Sequence, residues 1–328
     1  TQSGKSVQPE IEVVENRTVN DASYKVETPQ DAAVSPDGKK LAFAFRGLLF
    51  VSDVKGNFVQ QINTPSNERI GEVVWGDDSK TLYYTRTNLG FTNIFKQPAD
   101  VSGEEKIVFK SESNARSLTR SHKGKILAFV NGSGSVMTLN FADDKTEEVA
   151  KGEFWAFQNY SISFSFDDKF MAFSAVNLFE RDLFIYSFAD KKIVNLTNSA
   201  TYEDDPVFSP DGKYLYFTAD RYTPSFPRGT SFQLFKVSLD KVCKPFEGAE
   251  YDKLFGKPEA VKDSSVVINR TYIQRRYEKI VEKGAQESPY IFVQKDKTFL
   301  FYVSNHEGEN GLYVQELKDW DEKPAQKV

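Results

Sequence analysis

Cysteine is almost missing from this chain: Cys243 stands alone among 328 residues. An internal disulfide is therefore excluded, which fits a cytoplasmic protein and a large bacterial secreted one equally well. Histidine is nearly as scarce, with only His122 and His306. A zinc site built from clustered His and Cys is not expected from so few. Neither histidine has a nucleophile signature beside it. No Gly-x-Ser-x-Gly elbow occurs, because Gly132-Ser133-Gly134-Ser135 departs from that pattern and falls where a hairpin loop is expected. A phosphate-cradling glycine loop is missing too. The acidic runs Glu203-Asp204-Asp205 and Asp143-Asp144 read as solvated loops before they read as cation sites. No catalytic residue, metal ligand or cofactor is nominated. Hydrolysis of peptides or esters by this chain itself is not expected.

Long apolar runs are lacking as well. None approaches the roughly 18–20 residues of a spanning helix, and no signal peptide is visible. The chain opens at Thr1 without Met, which reads as a trimmed or excised piece. Charge of one sign does not dominate: 42 Lys and Arg face 47 Asp and Glu, a formal net of −5 with no basic face. Nucleic acid is not expected as the main partner.

Aromatic residues are plentiful, with 28 Phe and 15 Tyr. They fall into a repeat. Its clearest copies are Ser35-Pro36-Asp37-Gly38 and Ser209-Pro210-Asp211-Gly212, each flanked by short apolar runs. Proline sets φ at the first corner, aspartate bonds its own backbone, and glycine accepts positive φ. Weaker copies are Gly76-Asp77-Asp78-Ser79, Ser121-His122-Lys123-Gly124, Ser165-Phe166-Asp167-Asp168 and Lys295-Asp296. A further apolar run follows each hairpin, and often a fourth, edge-like one. A period of roughly 40–50 residues with four strands per unit is the mark of a β-propeller. The fold class is all-β, with six recognisable four-stranded blades, complete in themselves or part of a seven-bladed ring. A β-sandwich gives no reason for the same turn letters to return.

Residues 1–9 read as linker or disordered chain and 10–328 as a single propeller domain. Blades are expected at roughly 30–64, 70–110, 115–150, 158–198, 203–283 and from 287 onward. Large residues of the second strands, among them Leu41, Phe43, Leu127, Phe129, Phe217, Leu300 and Phe301, should be buried between blades. Blade five carries a proline-containing loop from Asp220 to Thr230 and an excursion at about 242–272, after which the chain returns to supply an outer strand. The outer strand of the sixth blade is barely sketched, which predicts an open edge. The strand-like Glu10–Val14, a further blade or a second chain would cover it. Arg46, Arg86, Asn131, Asn177, Arg221 and Asn305 take similar places at the ends of successive second strands, and are the candidate ligand-binding residues.

The phrases Ser35-Pro36-Asp37-Gly38-Lys39-Lys40-Leu41-Ala42-Phe43 and Asp205-Pro206-Val207-Phe208-Ser209-Pro210-Asp211-Gly212 resemble the repeats of TolB-like and tricorn-like propellers. Glu10–Val14, the Asp220-Arg221 step and the Ile273-Gln274-Arg275-Arg276 stretch are similar in order to the second propeller region of large tricorn-type serine peptidases. The resemblance covers residue 10 to the end, and no PDZ or peptidase part matches. It implies a non-catalytic propeller that binds or gates peptide or protein for a catalytic domain. The alternatives are a free-standing TolB-like protein-binding propeller of the bacterial envelope and a sugar-acting propeller enzyme such as a lyase. A periplasmic or secreted location is implied, with the cytoplasm as the alternative.

Overall fold

The computed structural model describes residues 28–65, 67–155, 160–199, 201–221, 232–240, 255, 266–281, 283–318 and 324–328. They form six four-stranded antiparallel sheets, each a meander of four consecutive strands. Blade one is β1 (Asp31–Val34), β2 (Lys40–Phe45), β3 (Leu48–Asp53) and β4 (Val59–Ile62). Blade two is β5 (Ile70–Trp75), β6 (Thr81–Asn88), β7 (Phe91–Pro98) and β8 (Lys106–Phe109). Blade three is β9 (Ala115–Arg120), β10 (Ile126–Asn131), β11 (Ser135–Asn140) and β12 (Thr146–Lys151). Blade four is β13 (Ile162–Phe164), β14 (Phe170–Asn177), β15 (Glu180–Ser187) and β16 (Lys192–Asn195). Blade five is β17 (Glu203–Phe208), β18 (Tyr214–Ala219), β19 (Gln233–Ser238) and β20 (Tyr277–Lys279). Blade six is β21 (Gln286–Gln294), β22 (Lys297–Ser304), β23 (Gly311–Leu317) and β24 (Gln326–Lys327). The architecture is a β-propeller.

The repeated turn works as its letters require. In blade one the Ser35 hydroxyl donates to Asp37 at 2.5 Å and accepts the Lys40 amide at 3.0 Å. Asp37 accepts the Lys39 amide at 3.1 Å, and Gly38 sits at φ 69°. Blade five repeats the set: Ser209 to Asp211 at 2.6 Å, the Tyr214 amide to Ser209 at 2.9 Å, and Gly212 at φ 68°. In blade four Asp168 replaces the glycine at φ 58°, yet Ser165 still donates to Asp167 at 2.6 Å. The serine and the aspartate hold the hairpin, and the proline, kept only at 36 and 210, is the letter most easily lost.

Cross-strand register puts Ala42 and Ala44 on one face of blade one and Leu41, Phe43 and Phe45 on the other. The small face receives Trp75, Leu82 and Tyr84 of blade two in one buried cluster. Similar clusters join blades two and three around Leu127 and Phe129, three and four around Phe164 and Phe173, four and five around Leu215 and Phe217, and five and six around Leu300 and Tyr302. Two expected core residues, Leu41 and Phe301, are only half-buried. Both lie on the outward faces of the first and sixth blades, which no other described blade covers.

The other differences concern outer strands. The excursion does return to give blade five its fourth strand, but β20 is three residues long; the apolar run before it forms a single 3-10 turn at Ile273–Arg275. Buried Arg276 holds that turn to β19, donating to the Ser238 carbonyl at 2.8 Å. Blade six has a fourth strand of its own. Gln326 and Lys327 pair with Val314 and Tyr313, although their sequence is wholly polar. The open edge expected there is filled by β24. The Glu10–Val14 strand, the loop beyond Arg221 and most of the excursion lie outside the described residues.

Candidate polar collar of the innermost strands

The six candidate ligand-binding residues all sit at the end of the blades opposite the Ser-Pro-Asp-Gly turns, and most are engaged inside their own blade. Arg46 is exposed at the first position of a two-residue turn, φ 52°, with its guanidinium 5.4 Å from the Phe45 ring. Arg86 is buried, bonded twice to Glu105 at 3.0 and 2.8 Å and stacked 3.8 Å over Phe95. Asn177 donates to Asp182 at 2.6 Å. Arg221 is paired with Glu203 and lies 3.8 Å over the Tyr277 ring. Asn305 is exposed and accepts the Ala285 amide at 2.8 Å. Asn131 keeps a buried side-chain oxygen without a partner among the described residues. The residues share a level in the fold but do not meet in one cluster.

The side chains that do connect are others. In blades one to five a polar residue stands four places before the turn, in or just before the innermost strand: Asp31, Glu72, Ser117, Ser161 and Asp205. These reach across to the next blade. Asp31 accepts the Val73 amide at 2.7 Å. Glu72 accepts the Ser117 and Leu118 amides at 3.0 and 2.7 Å. The Ser117 hydroxyl accepts the Tyr160 amide at 3.4 Å, and Ser161 donates to Asp205 at 2.7 Å. Asp205 in turn accepts a backbone N–H from Ser288. Of the receiving strands, β5, β9, β17 and β21 are bulged where they are met, with Ser117, Asp205 and Ser288 at positive φ. A bulge leaves an amide unpaired in its own sheet, and the neighbouring blade satisfies it. This collar links blades one to six in order.

Blades four and five add a denser set around it. Arg181 pairs with Asp204 and lies 4.1 Å over Tyr160 and 4.9 Å over Tyr202. Asp182, also buried, accepts from Asn177, Asn195 and the Ser199 amide. Glu203 is fully buried; Ser199 donates to it at 2.8 Å and Arg221 pairs with it. Burial pushes the Glu203 carboxyl up to about 7, against the pull of Arg221. Burial, with Asp204 adjacent, also raises Asp205, and burial raises Glu72 despite its two amide donors. Among the described residues no group of His, Cys, Asp and Glu is arranged to hold a metal ion.

One contact was not anticipated. The Ser304 hydroxyl lies 2.9 Å from His306 Nδ1, the only hydroxyl–histidine hydrogen bond among the described residues. Ser304 is 1% exposed, and its oxygen also receives the His306 amide at 3.3 Å. It ties down the start of the loop between β22 and β23, with the His306 ring partly exposed. His122 is likewise structural: its ring stacks on Phe166 at 4.0 Å and its Nε2 meets the Phe164 carbonyl at 3.1 Å.

No known protein-family profile matches the chain. The tricorn protease homolog of Saccharolobus solfataricus is 25% identical over 210 residues, covering 61% of this chain and 18% of the relative. The crystal structure of the tricorn protease superposes with a TM-score of 0.64 at 17% identity, over 91% of this chain and 30% of that one. The chain is a β-propeller similar to those of the tricorn protease and its homolog. It spans less than a fifth of the length of the curated relative it matches. The same fold recurs in oligogalacturonate lyase from Vibrio parahaemolyticus, with a TM-score of 0.55 at 14% identity over 90% of this chain and 75% of the other. At such identities the structural likeness speaks for the fold alone. No helix among the described residues is long and apolar enough to cross a membrane.

Proposed function

We propose that this tricorn-like propeller is non-catalytic and binds or gates peptide or unfolded protein for a peptidase part. The observation that carries the reading is the pairing of a protease relative with a propeller in which the one hydroxyl–histidine bond among the described residues ties Ser304 into its own loop. The described histidines and most of the described acids of blades four and five hold the fold together. What remains for a ligand is a polar level of amides, carboxylates and guanidinium groups near the ends of the second strands. Extended peptides are recognised by such groups, because their own backbone supplies donors and acceptors at every residue.

The test uses the whole chain with a fluorescein-labelled peptide digest of an unfolded protein. Saturable binding is expected, with the peptides recovered uncleaved. Arg46→Ala and Asn305→Ala, at the two exposed candidate positions, should each weaken it several-fold; Arg46→Ala should leave the melting temperature unchanged, whereas Asn305→Ala also removes the acceptor of the Ala285 amide. Absence of binding at millimolar peptide, or cleavage abolished by a single substitution, overturns the reading.

A further inference from the structure

The hairpins that join second to third strands differ in height. Counted from the repeated turn, β2, β10 and β18 are six residues long, whereas β6 and β14 start at the same place and run to eight. At about 3.4 Å per residue, the hairpins of blades two and four therefore stand about 7 Å above their neighbours. Between them blade three ends low, in Gly132-Ser133-Gly134. Leu89 and Leu178 form the two summits. At 81% and 87% they are the most exposed large apolar side chains among the described residues. Phe179, beside Leu178, is 71% exposed.

The backbone at the summits favours other residues. Each leucine takes the first position of a two-residue turn at positive φ, 52° at Leu89 and 53° at Leu178. Blade one places Arg46 there, also at 52°. Such turns prefer Asn, Asp or Gly, and an aliphatic side chain in the left-handed region destabilises the fold. Neither leucine packs in any of the five buried clusters. Apolar side chains kept in water against the preference of their own backbone point to a contact outside the chain. The charge beside the blade-four summit is acidic. Glu153, bridged to Val176, spends one oxygen on the Trp155 indole, and Glu180 follows Phe179 directly. Neither meets a cation among the described residues, and burial with Asp220 nearby raises the Glu180 carboxyl. Arg181 and Arg116 are turned inward, to Asp204 and to the Gly132 carbonyl.

We infer that the summits of blades two and four are two apolar grips for an extended polypeptide, and that the segment they select carries bulky apolar residues next to Lys or Arg. The inference rests on the peptide-binding reading above and names what that site selects. Packed sheets lie about 10 Å apart, so grips on alternate blades are about 20 Å apart, a distance spanned by about six extended residues. Such a segment crosses the low tip of blade three, which is open above Gly134. Its apolar side chains rest on Leu89 and on Leu178 with Phe179, and its cations on Glu153 and Glu180. Arg46 continues the same level on blade one. The same carboxylates disfavour an anionic membrane as the occupant.

The experiment titrates two fluorescein-labelled peptides into the whole chain by fluorescence anisotropy, each of about 12 residues and so long enough to span both grips. One carries Phe-Lys near each end in a background of Ser and Gly; the other has Ser in place of both Phe. The apolar peptide should bind about tenfold tighter or more. Leu89→Asn with Leu178→Asn should weaken it about tenfold and leave the Ser peptide unchanged. The same pair should raise the melting temperature, because asparagine suits both turns. Leu89→Met with Leu178→Met should keep the binding. Equal affinity for the two peptides, or an apolar affinity untouched by the asparagine pair, overturns the inference and leaves peptide binding itself standing. Binding of neither peptide overturns both. Sedimentation with vesicles of phosphatidylcholine and phosphatidylglycerol, and of the chain alone over a range of concentrations, should show no association. Vesicle binding or self-association that the asparagine pair abolishes identifies a membrane or a second copy as the occupant, and overturns the inference.

Discussion

Glu203 offers the sharpest quantitative test of the buried network. Its carboxyl is fully buried and held up to about 7 from the ordinary 4.5, chiefly by desolvation. The groups facing it are Arg221, Asp182, Ser199 and Tyr277. A raised carboxyl in the folded state means that folding favours the protonated form. The stabilisation is therefore fully present below about pH 4.5 and is lost as pH rises through about 7. Raising the carboxyl from 4.5 to about 7, at about 1.4 kcal/mol per pH unit, amounts to about 3 kcal/mol. Glu203→Gln cannot ionise, so it removes this slope. Urea denaturation at pH 5 and pH 8 measures it. Between these values wild-type stability should fall by about 2–3 kcal/mol more than that of Glu203→Gln, part of the loss having already occurred by pH 5. Asp205 and Glu72, shifted in the same direction, contribute equally to both proteins and cancel. Parallel pH profiles for the two would refute the buried-carboxylate account.

Three smaller predictions follow from the same geometry. Glu72→Ala strands the Ser117 and Leu118 amides between blades two and three; at about 1–3 kcal/mol for each unsatisfied donor, it should unfold at markedly lower urea than Glu72→Gln, which keeps an acceptor. Leu178 and Phe179 form a two-residue hairpin turn with both φ positive, 53° and 80°, and both side chains exposed. Leu178→Asn with Phe179→Gly restores the residues that turn prefers and should stabilise by about 1–2 kcal/mol in calorimetry. Gly212→Ala should cost more than Gly38→Ala: both sit at positive φ, but a Cβ at 212 comes within 3.0 Å of Val266 while that at 38 meets nothing. Equal melting temperatures for the two would contradict this.

The blades were legible because the turn chemistry is local. Ser35, Asp37 and Gly38 act on their own hairpin, so their letters carry the fold with no knowledge of distant partners. The collar was legible as well and was missed. Asp31, Glu72, Ser117, Ser161 and Asp205 stand at one fixed offset from the turn, but attention to apolar runs passes over a polar residue at the start of a strand. Partnership across the chain was beyond reach. That Arg86 would be taken by Glu105, and Arg221 by Glu203, depends on strands far apart in sequence. The half-burial of Leu41 and Phe301 depends on which blades stand at the ends of the series, which no single repeat reveals. β24 has no apolar letter to announce it; it pairs through its backbone alone.

The central functional claim is binding without cleavage. Isothermal titration of the whole chain with an unfolded-protein digest, followed by mass spectrometry of the recovered peptides, tests it most directly. Saturable heat with every peptide recovered at its starting mass is the predicted result. Shortened peptides, or no heat at any concentration, would contradict it.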